Sequence, residues 1–185
     1  MIVTARRIQE LLNKGDIIIS PFNTSDLDVN SYSFHLGDSL IEYECQIIDP
    51  HRPLRTNTIQ IPDSGYVLKP EHFYLSSTIE KMGSSICASE LYANFSTAAC
   101  GMFIQTSAPL GHTGAIINWT LEIIVAQPVV VYPGMKIGKI CFWENYGELT
   151  NYQGRYCESK NVVASRIYQD FNRQESHNDT YRQGN

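Results

Sequence analysis

Trp119 to Trp143 reads WTLEIIVAQPVVVYPGMKIGKICFW, and this stretch decides the fold class. Three runs rich in β-branched and aromatic residues, Trp119 to Ala126, Val129 to Tyr132 and Lys139 to Trp143, are parted at Gln127-Pro128 and at Pro133-Gly134. Each run has the length and residue types of a strand, and Pro-Gly is a turn-forming pair. Outward from it the same texture begins at Ile17 and predicts further strands at Ile17 to Ile19, Ser39 to Gln46, Gly65 to Leu68, Phe73 to Glu80, Leu91 to Ser96 and Met102 to Thr106. Many short strands at regular spacing favour a barrel or jelly roll. Only the start of the chain reads clearly as helix: Thr4 can cap it, Ile8, Leu11 and Leu12 share one face, and Gly15 ends it. A second short helix fits either Cys87 to Leu91 or Ser165 to Phe171.

The chain of 185 residues suits one domain with its own core, drawn as residues 1–171, followed by a polar and mobile tail, 172–185. Its net charge of -5 argues against a broad nucleic-acid-binding face, which wants clustered Lys and Arg. No apolar run is long enough to span a bilayer, and Met1 to Gly15 lacks the apolar centre of a signal peptide, so the expected place is the cytoplasm. The five cysteines, Cys45, Cys87, Cys100, Cys141 and Cys157, form an odd set with no CxxC pair, which reads as reduced thiols. His35, His51, His72 and His177 show no metal-ligand spacing, and the His-x-Glu with Pro-Cys-x-x-Cys signature of zinc deaminases is absent. No protein-bound metal is expected.

Several segments in fixed order resemble the dCTP deaminase branch of the dUTPase superfamily. They are GDIIISPF (Gly15 to Phe22), NSYSFHLG (Asn30 to Gly37), GYVLKPEHFYLSSTIE (Gly65 to Glu80), WTLEI (Trp119 to Ile123), VYPGMKIGKICF (Val131 to Phe142) and RYCESKNVVASRI (Arg155 to Ile167). The second is similar to the family's Ser-x-Asp-Leu-x-Leu-Gly motif, with Ser33 in place of the aspartate. The resemblance implies a mostly β fold, a distorted jelly roll or β-barrel of the dUTPase-like type with a short N-terminal helix. It also implies a homotrimer with sites built between subunits.

The family's central motif, Arg-Ser-Ser-x-x-Arg-x-Gly, corresponds to NFSTAACG (Asn94 to Gly101). Counting from Gly101 without a gap places Glu122 on the catalytic glutamate, Asn94 and Ala99 on the two arginines and Phe95 on the first serine, while Ser96 is kept. Leu110 and His112 stand where many members have the Arg and Asp of an Arg-Ile-Asp-Pro-Gly loop.

In the deaminases the counterpart of Glu122 activates a water that attacks C4 of cytosine, and ammonia leaves without zinc. A carboxylate suits that proton transfer, although an isolated strand glutamate is also an ordinary solvated or ion-paired residue. By resemblance the catalytic candidates are Glu122 and Ser96, and Asn94, His112, Arg155, Tyr156 and Lys160 are candidates for binding substrate. Against this, Arg155 and Lys160 fit a solvated loop, Arg166 fits a structural ion pair, and His112 fits a Gly-rich loop without chemistry. Trp119, Phe95 and Tyr156 offer base stacking or plain core packing. Magnesium enters only with bound nucleotide phosphates. Losing two phosphate arginines removes about 1.5–3 kcal/mol of charge-assisted hydrogen bonding each, so other cations compensate or the ligand differs. Three functions stay open: a divergent deoxycytidine nucleotide deaminase, a dUTPase-type diphosphatase, and a catalytically silent nucleotide-binding or regulatory homologue.

Overall fold

The computed structural model describes residues 1–104 and 107–171. The predicted tail, 172–185, and the end of the strand predicted to reach Thr106 lie outside the described residues.

The helix α1 (Ala5–Lys14) forms where the apolar spacing places it, with Ile8 and Leu11 buried and Leu12 half-buried against the same core. Gly15 ends it at φ 78°, a left-handed backbone that glycine adopts without a Cβ clash, and its N–H bonds back to the Leu11 and Leu12 carbonyls. Thr4 occupies the N-cap position, but its side chain makes no capping bond.

Among the described residues thirteen strands follow: β1 (Ile17–Ser20), β2 (Leu27–Asp28), β3 (Ser31–His35), β4 (Ser39–Tyr43), β5 (Thr56–Gln60), β6 (Tyr66–Leu68), β7 (Tyr74–Ser84), β8 (Cys87–Ala93), β9 (Met102–Ile104), β10 (Leu110–Gly111), β11 (Ile117–Val125), β12 (Val129–Val131) and β13 (Lys136–Glu144). One antiparallel sheet runs β5-β4-β7-β11-β9, with β1 paired to the far end of β7; a second runs β10-β8-β13-β3-β2, and β12 pairs with β6. Phe34, Leu91, Ile140 and Phe142 from the second sheet share one buried cluster with Leu40, Met82, Leu121 and Ile123 from the first. Burying each such side chain stabilises the fold by about 1.5–3 kcal/mol. The chain is mostly β with one N-terminal helix, as its residue texture predicts. No helix among the described residues is long and apolar enough to cross a membrane.

Two local predictions need correction. The strand predicted from Leu91 to Ser96 stops at Ala93, and Phe95–Ala99 forms a short helix, α2. Ser96-Thr97-Ala98-Ala99 has no apolar alternation to hold it in a sheet, and alanine favours helix. Cys87 to Leu91, one of two places offered for a second helix, lies inside β8, where Cys87, Ser89 and Leu91 turn inward with period two. Residues 168–171, within the other place, are helical.

The joint that positions the site is a register slip between β7 and β11. Asn118 faces Lys81 and Thr120 faces Ser77, so Thr78, Ile79 and Glu80 stand against Trp119 alone. The Trp119 N–H donates to Thr78 Oγ1 at 3.0 Å, its indole N–H to the Met82 carbonyl at 2.9 Å, and the Thr78 hydroxyl to the Glu80 carbonyl at 2.7 Å. Such bulges re-aim side chains, and this one serves both layers. Trp119 is fixed at the cavity described below, while the Glu80 carboxylate crosses to β3 and accepts from the His35 backbone N–H at 3.0 Å.

Candidate active site

After the slip, β11 alternates. Leu121 and Ile123 enter the core, and Thr120 and Glu122 line a cavity of about 510 Å³. That volume lies within the range of small-molecule sites. Tyr43, from the end of β4, and Phe73, just before β7, form one wall, with parallel rings 6.4 Å apart. Leu75, the cross-strand partner of Glu122, continues it.

Further lining comes from the chain beyond β13. Four backbone N–H groups hold it: Tyr152 donates to the Thr113 carbonyl at 2.8 Å, Val163 to Thr120 Oγ1 at 3.1 Å, Ser165 to the Tyr43 hydroxyl at 3.0 Å, and Arg166 to the Tyr156 hydroxyl at 2.9 Å. Three of the four acceptors, Thr120, Tyr43 and Tyr156, themselves line the cavity, and the first two belong to β11 and β4, so the segment is fastened to the site and not merely laid near it. Within the lining, the His112 ring stacks on Tyr152 with centroids 5.3 Å apart.

Glu122 is half-buried and is the one carboxylate among the described lining residues, which include no Lys or Arg. Burial pushes the Tyr43 phenol above its ordinary pKa; the Ser165 N–H opposes this, and the charges of Tyr156, Cys45 and Glu122 add to the rise. Tyr43 therefore keeps its proton beside Glu122 at neutral pH, and an uncharged donor stands near the one acidic group.

Of the sequence candidates, Glu122, His112 and Tyr156 meet at this cavity. Trp119 joins them. Arg155 sits next to Tyr156 but is engaged by the Asp170 carboxylate and by the Arg166 carbonyl, the latter at 2.8 Å. Lys160 is exposed and off the lining. Asn94 and Ser96 lie at the start of α2, outside the cavity of their own chain, and Phe95 beside them is 85% exposed. Tyr43, Phe73, Thr120 and Tyr152 were not legible as site residues, because long-range pairing brings them there. Among the described residues no three of His, Cys, Asp and Glu gather in a metal-holding group.

Residues 2–145 match the family model described as dCTP deaminase-like. The chain belongs to this family. It is 37% identical over 173 residues to a dCTP deaminase, dUMP-forming, of Clostridium beijerinckii, covering 92% of this chain and 99% of that one. With the protein of the same description from Clostridium acetobutylicum it shares 33% over 172 residues, again 92% and 99% of the two chains. The crystal structure of 2'-deoxycytidine 5'-triphosphate deaminase from Agrobacterium tumefaciens superposes with a TM-score of 0.61 at 16% identity, over 80% of this chain and 49% of that one. This last likeness concerns the fold, and the chain spans about half of that protein's length.

Proposed function

We propose that this dCTP deaminase-like chain deaminates a deoxycytidine nucleotide at C4. The observation that carries the reading is Glu122, the one carboxylate among the described residues of a largely apolar and aromatic cavity. Water oxygen bonds to C4 while Glu122 takes one of its protons and passes it to N3. Collapse of the tetrahedral adduct breaks the bond from C4 to the amino nitrogen, the second water proton travels through the same carboxylate, and ammonia leaves behind a C4 carbonyl. The neutral Tyr43 phenol and the Trp119 ring supply a donor and a stacking face for the base.

A homotrimer fits this reading, since Asn94 and Ser96 reach a cavity only if a neighbouring copy offers one. Magnesium would accompany whatever phosphates the ligand carries. A second reading, a silent nucleotide-binding homologue, draws on Asn94 and Ala99 standing where the family has arginines. Incubating the full chain with cytosine and uracil nucleotides, and following ammonia and pyrophosphate together, separates them. Ammonia supports the deaminase, pyrophosphate alone the diphosphatase, and binding without either product the silent homologue.

A further inference from the structure

Between Lys81 and Lys136 the sequence contains no lysine and no arginine. That run supplies β8, α2, β9, β10 and β11, and so both the floor of the cavity and the Asn94 to Gly101 segment. A second copy of the chain brings the same run. Whichever subunit completes the site, these elements add no positive charge to it.

Among the described residues, the cations on the segments that flank the cavity are already committed or exposed. Arg155 holds Asp170, and Arg166 donates to the Arg155 carbonyl at 3.1 Å while its guanidinium lies 5.9 Å from the Tyr156 ring. Arg52 pairs with Asp49 at 3.2 Å, and Arg55 and Lys160 are exposed. Recruiting any of them means breaking a bond or ordering a long, solvated side chain. Against this, Glu122 puts a negative charge on the cavity wall, which repels a polyanion.

We infer that the site takes a pyrimidine deoxynucleoside compound of low charge, carrying one phosphate or none, in preference to a triphosphate. The inference rests on the deaminase reading for the identity of the base. An apolar and aromatic chamber with a single acid suits a base and sugar, and its described lining offers a triphosphate chain no lysine or arginine. Each charge-assisted phosphate contact that is missing lowers affinity by about tenfold or more, so the order of preference among phosphorylation states is a measurable consequence.

The test measures ammonia release by the full chain from deoxycytidine, its monophosphate and its triphosphate, with calorimetric titration of the same three compounds in parallel. The expected result is a kcat/KM for the monophosphate or the nucleoside about tenfold or more above that for the triphosphate, with binding in the same order. A triphosphate that is turned over or bound as well as the others, or better, overturns the inference and leaves the deaminase reading intact. If none of the three releases ammonia, that reading fails and calorimetry alone decides: tighter binding of a low-charge compound supports the inference, and tighter triphosphate binding, or no binding at all, overturns it.

Discussion

The Tyr43 hydroxyl accepts a hydrogen bond from the Ser165 N–H at 3.0 Å, joining two lining residues of the cavity that lie 122 positions apart. Together with the bond from Val163 N–H to Thr120 Oγ1, it fastens the last described segment to the strands that carry Glu122. Tyr43→Phe keeps the ring stacked on Phe73 and removes the hydroxyl, both the acceptor for Ser165 and the donor proposed for the base. The loss to stability should be about 1 kcal/mol, since the freed N–H is half-buried and regains some water. The wall of the site should suffer more than the fold. KM is expected to rise by about threefold to tenfold while kcat changes by less than about twofold, as for lost uniform binding. An unchanged KM would show that the segment is held without this bond.

A second relationship ties the two sheets together. His35 Nδ1 lies 2.6 Å from Glu80 Oε1, the other Glu80 oxygen accepts from the His35 N–H, and Lys136 Nζ lies 2.6 Å from the buried Asp26 carboxylate, which faces His35 Nε2 at 3.9 Å. Glu80 is only 2% exposed, so truncating it strands two donors in the interior. Glu80→Ala should cost about 3 kcal/mol, and Glu80→Gln clearly less, because an amide oxygen still accepts one of the two bonds. Thermal melting of both variants checks the order. Neither residue lines the cavity, so activity per folded molecule should stay near the parent level.

Thiol chemistry offers a check on the core. Cys87 and Cys141 are buried and their thiols are pushed up by burial first of all, whereas Cys45, Cys100 and Cys157 are exposed. A chromogenic disulfide reagent at pH 8 should therefore leave Cys87 and Cys141 unreacted in the native protein and reach them after denaturation. The sign of the linked pH effect follows from the raised folded pKa. Both thiols contribute stability that is fully present below the unfolded value of about 8.5 and is lost as pH rises through the folded one. Early labelling of Cys141, identified by peptide mapping, would contradict the packing of β13 against β8.

Some of the apolar strands were legible because burial imposes a period that sequence displays, although β3, with Tyr32 and Phe34 in the core, was not among the strands predicted. β7 and β11 to β13 could be read from Val, Ile, Leu and aromatic runs between Pro and Gly, and α1 from Ile8, Leu11 and Leu12. β5 was not, since Thr56-Asn57-Thr58-Ile59-Gln60 is a polar edge strand whose backbone pairing with β4 holds it. α2 was hidden for a related reason, as small residues carry no period. In the site, family resemblance picked out Glu122, His112 and Tyr156, which the fold does bring together. Tyr43 and Phe73 could not be found that way. Their role depends on a pairing between distant segments that no local pattern records.

Glu122 carries the final prediction because its place distinguishes chemistry from architecture. Its backbone is held by β7 on one side, opposite Leu75, and its side chain points into the cavity with Thr120, away from the core that Leu121 and Ile123 fill. Glu122→Gln preserves shape and removes the proton acceptor. If the carboxylate shuttles the water protons, turnover should fall by about two to four orders of magnitude while the melting temperature and ligand binding change little. A structural glutamate would give the opposite pattern, with stability lower by about 1–3 kcal/mol and turnover per folded molecule nearly intact. Ammonia release and thermal melting on the same preparation separate the two. A Glu122→Gln protein that melts normally and deaminates at the parent rate would remove Glu122 from the mechanism and leave His112 and the phenols of Tyr43, Tyr152 and Tyr156 as the titratable groups of the described lining to be tested in its place.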